Sequence, residues 1–181
     1  MRTLEIDSAV LVVVDVQGKL ASLMHDKEAV FAAQQRIVAA AKALGLPILW
    51  VEQNPTRMGP TIPELQGLLA GLQPIAKMSF SCCGEPRFVD ALDAMARRQV
   101  LLCGIEAHVC VYQTAADLVR GGYEVQMLAD AVSSRTEENR GVGLDKARAA
   151  GAAITSTETA IFELLKTAEH PAFRDILKIV K

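Results

Sequence analysis

Hydrophobic positions fall into two alternating patterns from one end of the chain to the other. The run Ala9-Val10-Leu11-Val12-Val13-Val14 is continuously apolar, and other mainly apolar runs lie at 47–51, 74–76, 99–103, 124–129 and 152–155. Continuous apolar runs of this length, bounded by turn residues, predict strands buried on both faces, as in a parallel sheet. Between them, apolar residues recur at helical spacing. Val30, Ile37, Val38, Ala41 and Leu44 mark a helix over 27–44 that Gly45 and Pro47 end. Pro86 opens another, with Phe88, Leu92 and Met95 on one face, and 110–120 reads as a third. Ser134 with Glu137 fits a capping box, although Gly141 and Gly143 weaken the helix that follows and Gly151 stops it. Helices are also expected over 159–166 and from Pro171, where Phe173, Ile176, Leu177 and Val180 form a stripe that would dock on this domain or on a second subunit. The stretch 53–73, broken by prolines at 55, 60 and 63, reads as a long loop with one short helix near 63–69. The order is βαβ throughout, which predicts an α/β protein: three-layer α/β/α, a six-stranded parallel sheet, Rossmann-like, one domain over 1–181.

Three polar residues interrupt this pattern where packing gives no reason for them. Asp15 ends the first apolar run, Lys77 follows Pro74-Ile75-Ala76, and Cys110 opens a helix a few residues after the strand 99–103. Ligands of open parallel sheets bind beyond the carboxyl ends of strands, so the three side chains are expected to converge. A helix start favours thiolate over thiol. A carboxylate base, a cation and a thiol together form a nucleophilic set, with Asp15 accepting the Cys110 proton and Lys77 stabilising the anion. Singly, each has a plain reading: a buried small side chain for Cys110, a turn cap for Asp15, a solvated strand end for Lys77.

Asp15-Val16-Gln17, Lys77 with Phe80 beyond it, and Gly104-Ile105-Glu106-Ala107-His108-Val109-Cys110-Val111 together resemble the isochorismatase-like cysteine hydrolases over nearly the whole chain. Glu52-Gln53-Asn54-Pro55 followed by Gly59-Pro60-Thr61-Ile62-Pro63-Glu64-Leu65 is similar to the isochorismatase-domain-containing subgroup. The resemblance implies the isochorismatase-like hydrolase fold and an Asp15, Lys77, Cys110 triad. It also implies a cis peptide between Ile105 and Glu106, and an oxyanion hole made by the backbone N–H groups of Glu106 and Cys110. Nicotinamidases of the family bind a divalent metal through an Asp-x-His element and a further His after the second strand. Here that segment is Glu52-Gln53-Asn54-Pro55, and no His lies between His25 and His108, so neither metal nor cofactor is expected. Isochorismatases proper cleave a vinyl ether without a cysteine nucleophile, so Cys110 points to acyl transfer, on an amide or related C–N carbonyl compound. Gln17, Phe80, Trp50, Gln53 and His108 are the expected substrate-binding residues, with a core reading open for Trp50 and a surface one for His108. Two further classes stay open: a binding or scaffold module that keeps the triad without turnover, and a thiol redox protein using Cys82, Cys83 and Cys110.

Composition narrows the setting. With 181 residues, 51% of them hydrophobic, the chain can bury roughly 70% of the surface its unfolded form exposes. A formal net charge of −2 leaves no broad basic field for nucleic acid, and the expected partner is a small-molecule substrate. Glu5 and Asp7 precede an apolar run that stops at Asp15, which fits neither a signal peptide nor a membrane span, so a cytoplasmic protein with no membrane partner is expected. Four cysteines make no disulfide scaffold. Cys103 reads as core, and Cys82 and Cys83 as a plain loop or as pocket lining. A homo-oligomer is expected, because relatives assemble and the stripes after Cys110 and Pro171 offer surface to bury.

Overall fold

A computed structural model describes residues 2–181. Six parallel strands form one sheet: β1 (Ala9–Val14), β2 (Ile48–Gln53), β3 (Ile75–Lys77), β4 (Gln99–Ile105), β5 (Glu124–Ser133) and β6 (Ala153–Thr155), in the spatial order β3-β2-β1-β4-β5-β6. The helices are α1 (Gly18–Ser22), α2 (Lys27–Ala43), α3 (Pro55–Met58), α4 (Pro63–Gln66), α5 (Pro86–Ala94), α6 (Tyr112–Arg120), α7 (Glu137–Ala149), α8 (Thr157–Leu165) and α9 (Phe173–Val180). Strand β1 shows why the sheet is covered on both sides. Ala9, Leu11 and Val13 enter a core with side chains of α2, α8 and α9, while Val10, Val12 and Val14 enter another with α5, α6 and α7. The expected three-layer α/β/α fold is thereby realised, and the order of strands reverses between β1 and β4, where such sheets open a crevice.

Several local expectations shift. The segment 53–73 carries two short helices, α3 and α4, because Pro55 and Pro63 each sit at a first helical turn, where a missing N–H costs nothing. Strand β5 runs on to Ser133 instead of ending before Asp130. Leu102 pairs with Met127 but Gly104 with Val132, so β5 bulges between them and throws Asp130 out of the ladder. The cap of α7 is Thr136, whose hydroxyl accepts the Asn139 N–H at 3.2 Å, and not Ser134, which is buried and hydrogen-bonded to His108 Nδ1 at 2.9 Å. The α9 stripe docks on this same domain: Ile176 is fully buried, and Phe173, Ile179 and Val180 pack around it in the α2 core. The apolar face of α6, Ala115 and Leu118, is buried in the opposite core. Both stripes are therefore used within the protomer. Among the described residues no helix is long and apolar enough to cross a membrane.

Candidate functional site

Two tight approaches at the carboxyl ends of the central strands shape the site. Gly104, at φ +128°, lies so close to β1 that a Cβ there would meet the Val14 carbonyl oxygen at 2.0 Å, so only glycine lets the two strands pair to their ends. After β4 the chain passes through a cis Ile105–Glu106 peptide into a π-type turn, Ala107–Val111, in which the Val111 N–H donates to the Glu106 carbonyl at 3.2 Å. This turn carries Cys110 and leads into α6. Helix α7 presses on it: a Cβ at Gly143 would stand 2.5 Å from the Ala107 carbonyl carbon. The glycine that weakens α7 as a helix is the one that lets it touch the Cys110 turn. Thr114 fixes the far side, donating to the Cys110 carbonyl at 2.7 Å and accepting the Cys82 N–H at 2.9 Å.

Asp15, Lys77 and Cys110 come together at this crevice. Asp15 follows β1 with left-handed φ of 55°, a conformation Asp tolerates better than most residues. Its Oδ2 accepts from Lys77 Nζ at 2.7 Å. Lys77 is almost completely buried, and its ammonium also donates to Gln53 Oε1 at 2.6 Å, to the Phe80 carbonyl at 3.0 Å and to the Ser79 carbonyl at 3.1 Å. Four acceptors surround three N–H donors, which is the environment a buried cation needs. The other Asp15 oxygen, Oδ1, is buried with no hydrogen-bond partner, and the Cys110 thiol is an electrostatic neighbour of the carboxyl group.

Burial raises the Asp15 carboxyl above its ordinary value despite Lys77, which opposes the shift by charge and by hydrogen bond. The Cys110 thiol is pushed up as well, first by burial and then by the Asp15 charge, with Lys77 pulling the other way. This reverses the expectation of an acidic thiol: the helix start does not outweigh desolvation and a neighbouring carboxylate. Each group thus acts on the other's ionisation, so the two titrate as a coupled pair. Cys82 and Cys103, both fully buried, are pushed up to about 12, and Cys83 to about 11, in each case mainly by burial.

Beside Asp15 and Cys110 lies a cavity of about 160 Å³. Leu20, Met58, Phe80, Ile105 and Val109 make its walls, with Gln53 and Glu106 at the edges. Of the expected substrate-binding residues, Phe80 and Gln53 line it. The other three lie elsewhere, each for a physical reason. Gln17 is buried and engaged with backbone, donating to the Gly59 carbonyl at 2.7 Å and accepting the Gln53 N–H at 2.6 Å, so it holds Gln53, which holds Lys77. Trp50 belongs to the α2 core, its indole N–H donating to Thr61 Oγ1 at 2.8 Å. His108 is turned to Ser134. Cys82 is buried behind the Cys110 turn and Cys83 opens onto a different cavity, between α5 and α6. Leu20, Met58 and Val109 were not legible as wall residues, because an apolar side chain in a loop or short helix carries no local mark of what it faces. Glu106 bonds Arg135 Nε at 3.0 Å. Among the described residues no group of three or more His, Cys, Asp and Glu side chains gathers as a metal site.

A doubly wound parallel sheet that opens a crevice at its switch point defines a class of fold, and the comparisons agree with that fold. The isochorismatase domain matches residues 9–159, and the chain belongs to the isochorismatase-like hydrolase family. It is 39% identical to isochorismatase domain-containing protein 2 of Bos taurus over 175 residues, 96% of this chain and 83% of that one. It is 40% identical to the secreted isochorismatase effector Isc1 of Phytophthora sojae over 178 residues, 96% of this chain and 85% of the relative. Among solved structures, the MAR1 ribonuclease of Caenorhabditis elegans superimposes with a TM-score of 0.93 at 36% identity, covering 99% of this chain and 92% of that one.

Proposed function

We propose that the protein is a cysteine hydrolase that cleaves a small amide or related C–N carbonyl compound through a thioester on Cys110. The observation that carries this reading is the buried carboxylate of Asp15, clamped on one oxygen by Lys77 and unpartnered on the other beside the Cys110 thiol. Because burial raises the Asp15 carboxyl, it is a stronger base than an exposed aspartate, and moving the thiol proton to it leaves the net charge of the site unchanged. The Lys77 ammonium then faces a thiolate and a neutral acid. The thiolate attacks the carbonyl carbon, and the oxyanion is received by the backbone N–H groups of Glu106 and Cys110; one donor in such a hole is worth about 3 kcal/mol. Asp15 returns its proton to the leaving amine, and as carboxylate it draws a proton from the water that opens the thioester. No step calls for a metal or another cofactor.

The worm relative is a ribonuclease by name. A net charge of −2 and a small apolar cavity favour a small molecule over an RNA backbone here. Met78, 71% exposed next to Lys77, favours a homo-oligomer that covers it. The test is a panel of small amides, ureides and carbamates with ammonia detection, run with and without a chelator, beside a labelled single-stranded RNA. Turnover of one panel member, lost in Cys110→Ala, retained with chelator and joined by no RNA cleavage, is the expected result. An acylated Cys110 peptide by mass spectrometry marks the intermediate. Cleavage of the RNA alone, or turnover that survives Cys110→Ala, overturns the reading.

A further inference from the structure

The wall of the cavity says which amides fit, granted the cysteine hydrolase reading above. Leu20, Met58, Phe80, Ile105 and Val109 present hydrocarbon and one aromatic ring, and none of the described residues lining the cavity is Lys, Arg or His. The two cations that bond the acids of the cavity are themselves engaged. Lys77 Nζ has its four acceptors within 3.1 Å, and Arg135 is paired with Glu106 at 3.0 Å. The ionisable groups that do reach the cavity, Asp15, Glu106 and Cys110, are acids. A carboxylate on the substrate would lose its water with no partner to replace it, beside groups of its own sign. The volume, about 160 Å³, suits a small guest.

We propose that the site is selective for uncharged primary amides with a short aliphatic acyl group, and that the apolar wall including Phe80 excludes anionic ones. The reaction is RCONH2 + H2O → RCOOH + NH3. Attack forms the S–C bond and expels the amine with the proton held by Asp15, and water then breaks the S–C bond and restores the thiol. The product is a short fatty acid, which ionises on release and is ejected by the same wall that admitted its amide.

Isovaleramide and malonamate test this, because they have the same size and differ in an isopropyl group against a carboxylate. Isovaleramide is expected to exceed malonamate in kcat/KM by about 100-fold or more, in line with the upper range of apolar-pocket discrimination. Phe80→Arg, at an exposed side chain, places a cation in the wall and is expected to narrow that ratio at least about tenfold. Equal turnover of the two amides by the native protein, or a ratio unmoved by the arginine, overturns the selectivity. A second readout separates this from failure of the hydrolase reading. If neither amide is turned over, protection of Cys110 from iodoacetamide is measured with each as ligand. Isovaleramide protecting and malonamate not protecting upholds the cavity's selectivity while the hydrolase reading fails, and equal protection, or none from either, overturns the selectivity.

Discussion

Two aspartates follow or interrupt apolar strands at the same edge of the sheet, and the fold uses them in opposite ways. Asp15, after β1, gives one oxygen to Lys77 and keeps the other buried and unpartnered. Asp130, thrown out by the β5 bulge, accepts both the Thr157 N–H at 2.8 Å and the Thr157 hydroxyl at 3.0 Å with Oδ1, so it ties the start of α8 to the sheet. The sequence signal is alike in the two places. What separates the two is an acceptor left without a partner at the crevice, as against one closed by a helix terminus.

The sharpest way to break this comparison is to remove each group. Cys110→Ser should fold and lose turnover, since a hydroxyl is too weak an acid for Asp15 to activate. Asp15→Asn should lower kcat/KM by about 10² to 10⁴-fold, the usual span for a positioned base, whereas Asp130→Asn should leave steady-state turnover of the same amide unchanged. Stability should divide the two sites next. Asp15→Asn strands the Lys77 ammonium, and Lys77→Met strands the carboxylate, so each should cost about 3–5 kcal/mol in denaturant unfolding. Asp130→Asn should cost about 1 kcal/mol, the loss of a helix-terminus contact.

Titration refines the contrast further. Asp15 has its folded pKa raised above the ordinary 3.8, so the native state holds a proton that the unfolded chain releases. Its contribution to stability is full below that value and fades as pH rises through the higher folded pKa. The acid limb of turnover should lie above the ordinary aspartate range for the same reason. Thiolate absorbance should show Cys110 titrating at lower pH in Asp15→Asn, which removes a raising charge, and at higher pH in Lys77→Met, which removes a lowering one. Gly143→Ala tests the packing behind the site: the clash with Ala107 should shift the Cys110 turn and cost about 1–3 kcal/mol, read by thermal melting.

How much of this was legible follows from range. Strands β1 and β4 announce themselves because burial on both faces leaves no polar position in Val10 to Val14 or Val100 to Leu102. Asp15, Lys77 and Cys110 stand out for the same reason, as polar or reactive groups where an apolar run stops. The β5 bulge was hidden because it arises from register against β4, a non-local property that the composition of 124–133 does not encode. Gln17 shows the same limit, since its role depends on backbone atoms of Gln53 and Gly59 more than thirty-five residues away. Gly143 was visible as a weak point in α7, and only the approach of Ala107 explains it. The direction of the Cys110 shift was misjudged because a helix start is a local feature, whereas burial and the Asp15 charge come from the assembled site.

The carbonyls of Ser79 and Phe80 bind the Lys77 ammonium, so the charge and one wall of the cavity belong to one short bend of chain. Swinging that segment outward to admit a guest would tear hydrogen bonds from a buried cation. If a guest enters, side chains are expected to yield first: the Phe80 ring and the Met58 thioether can turn about their own bonds while the backbone beneath them stays still. Rotamer exchange of an exposed side chain such as Phe80 takes picoseconds to nanoseconds, far ahead of the slower loop motions that gate many enzymes.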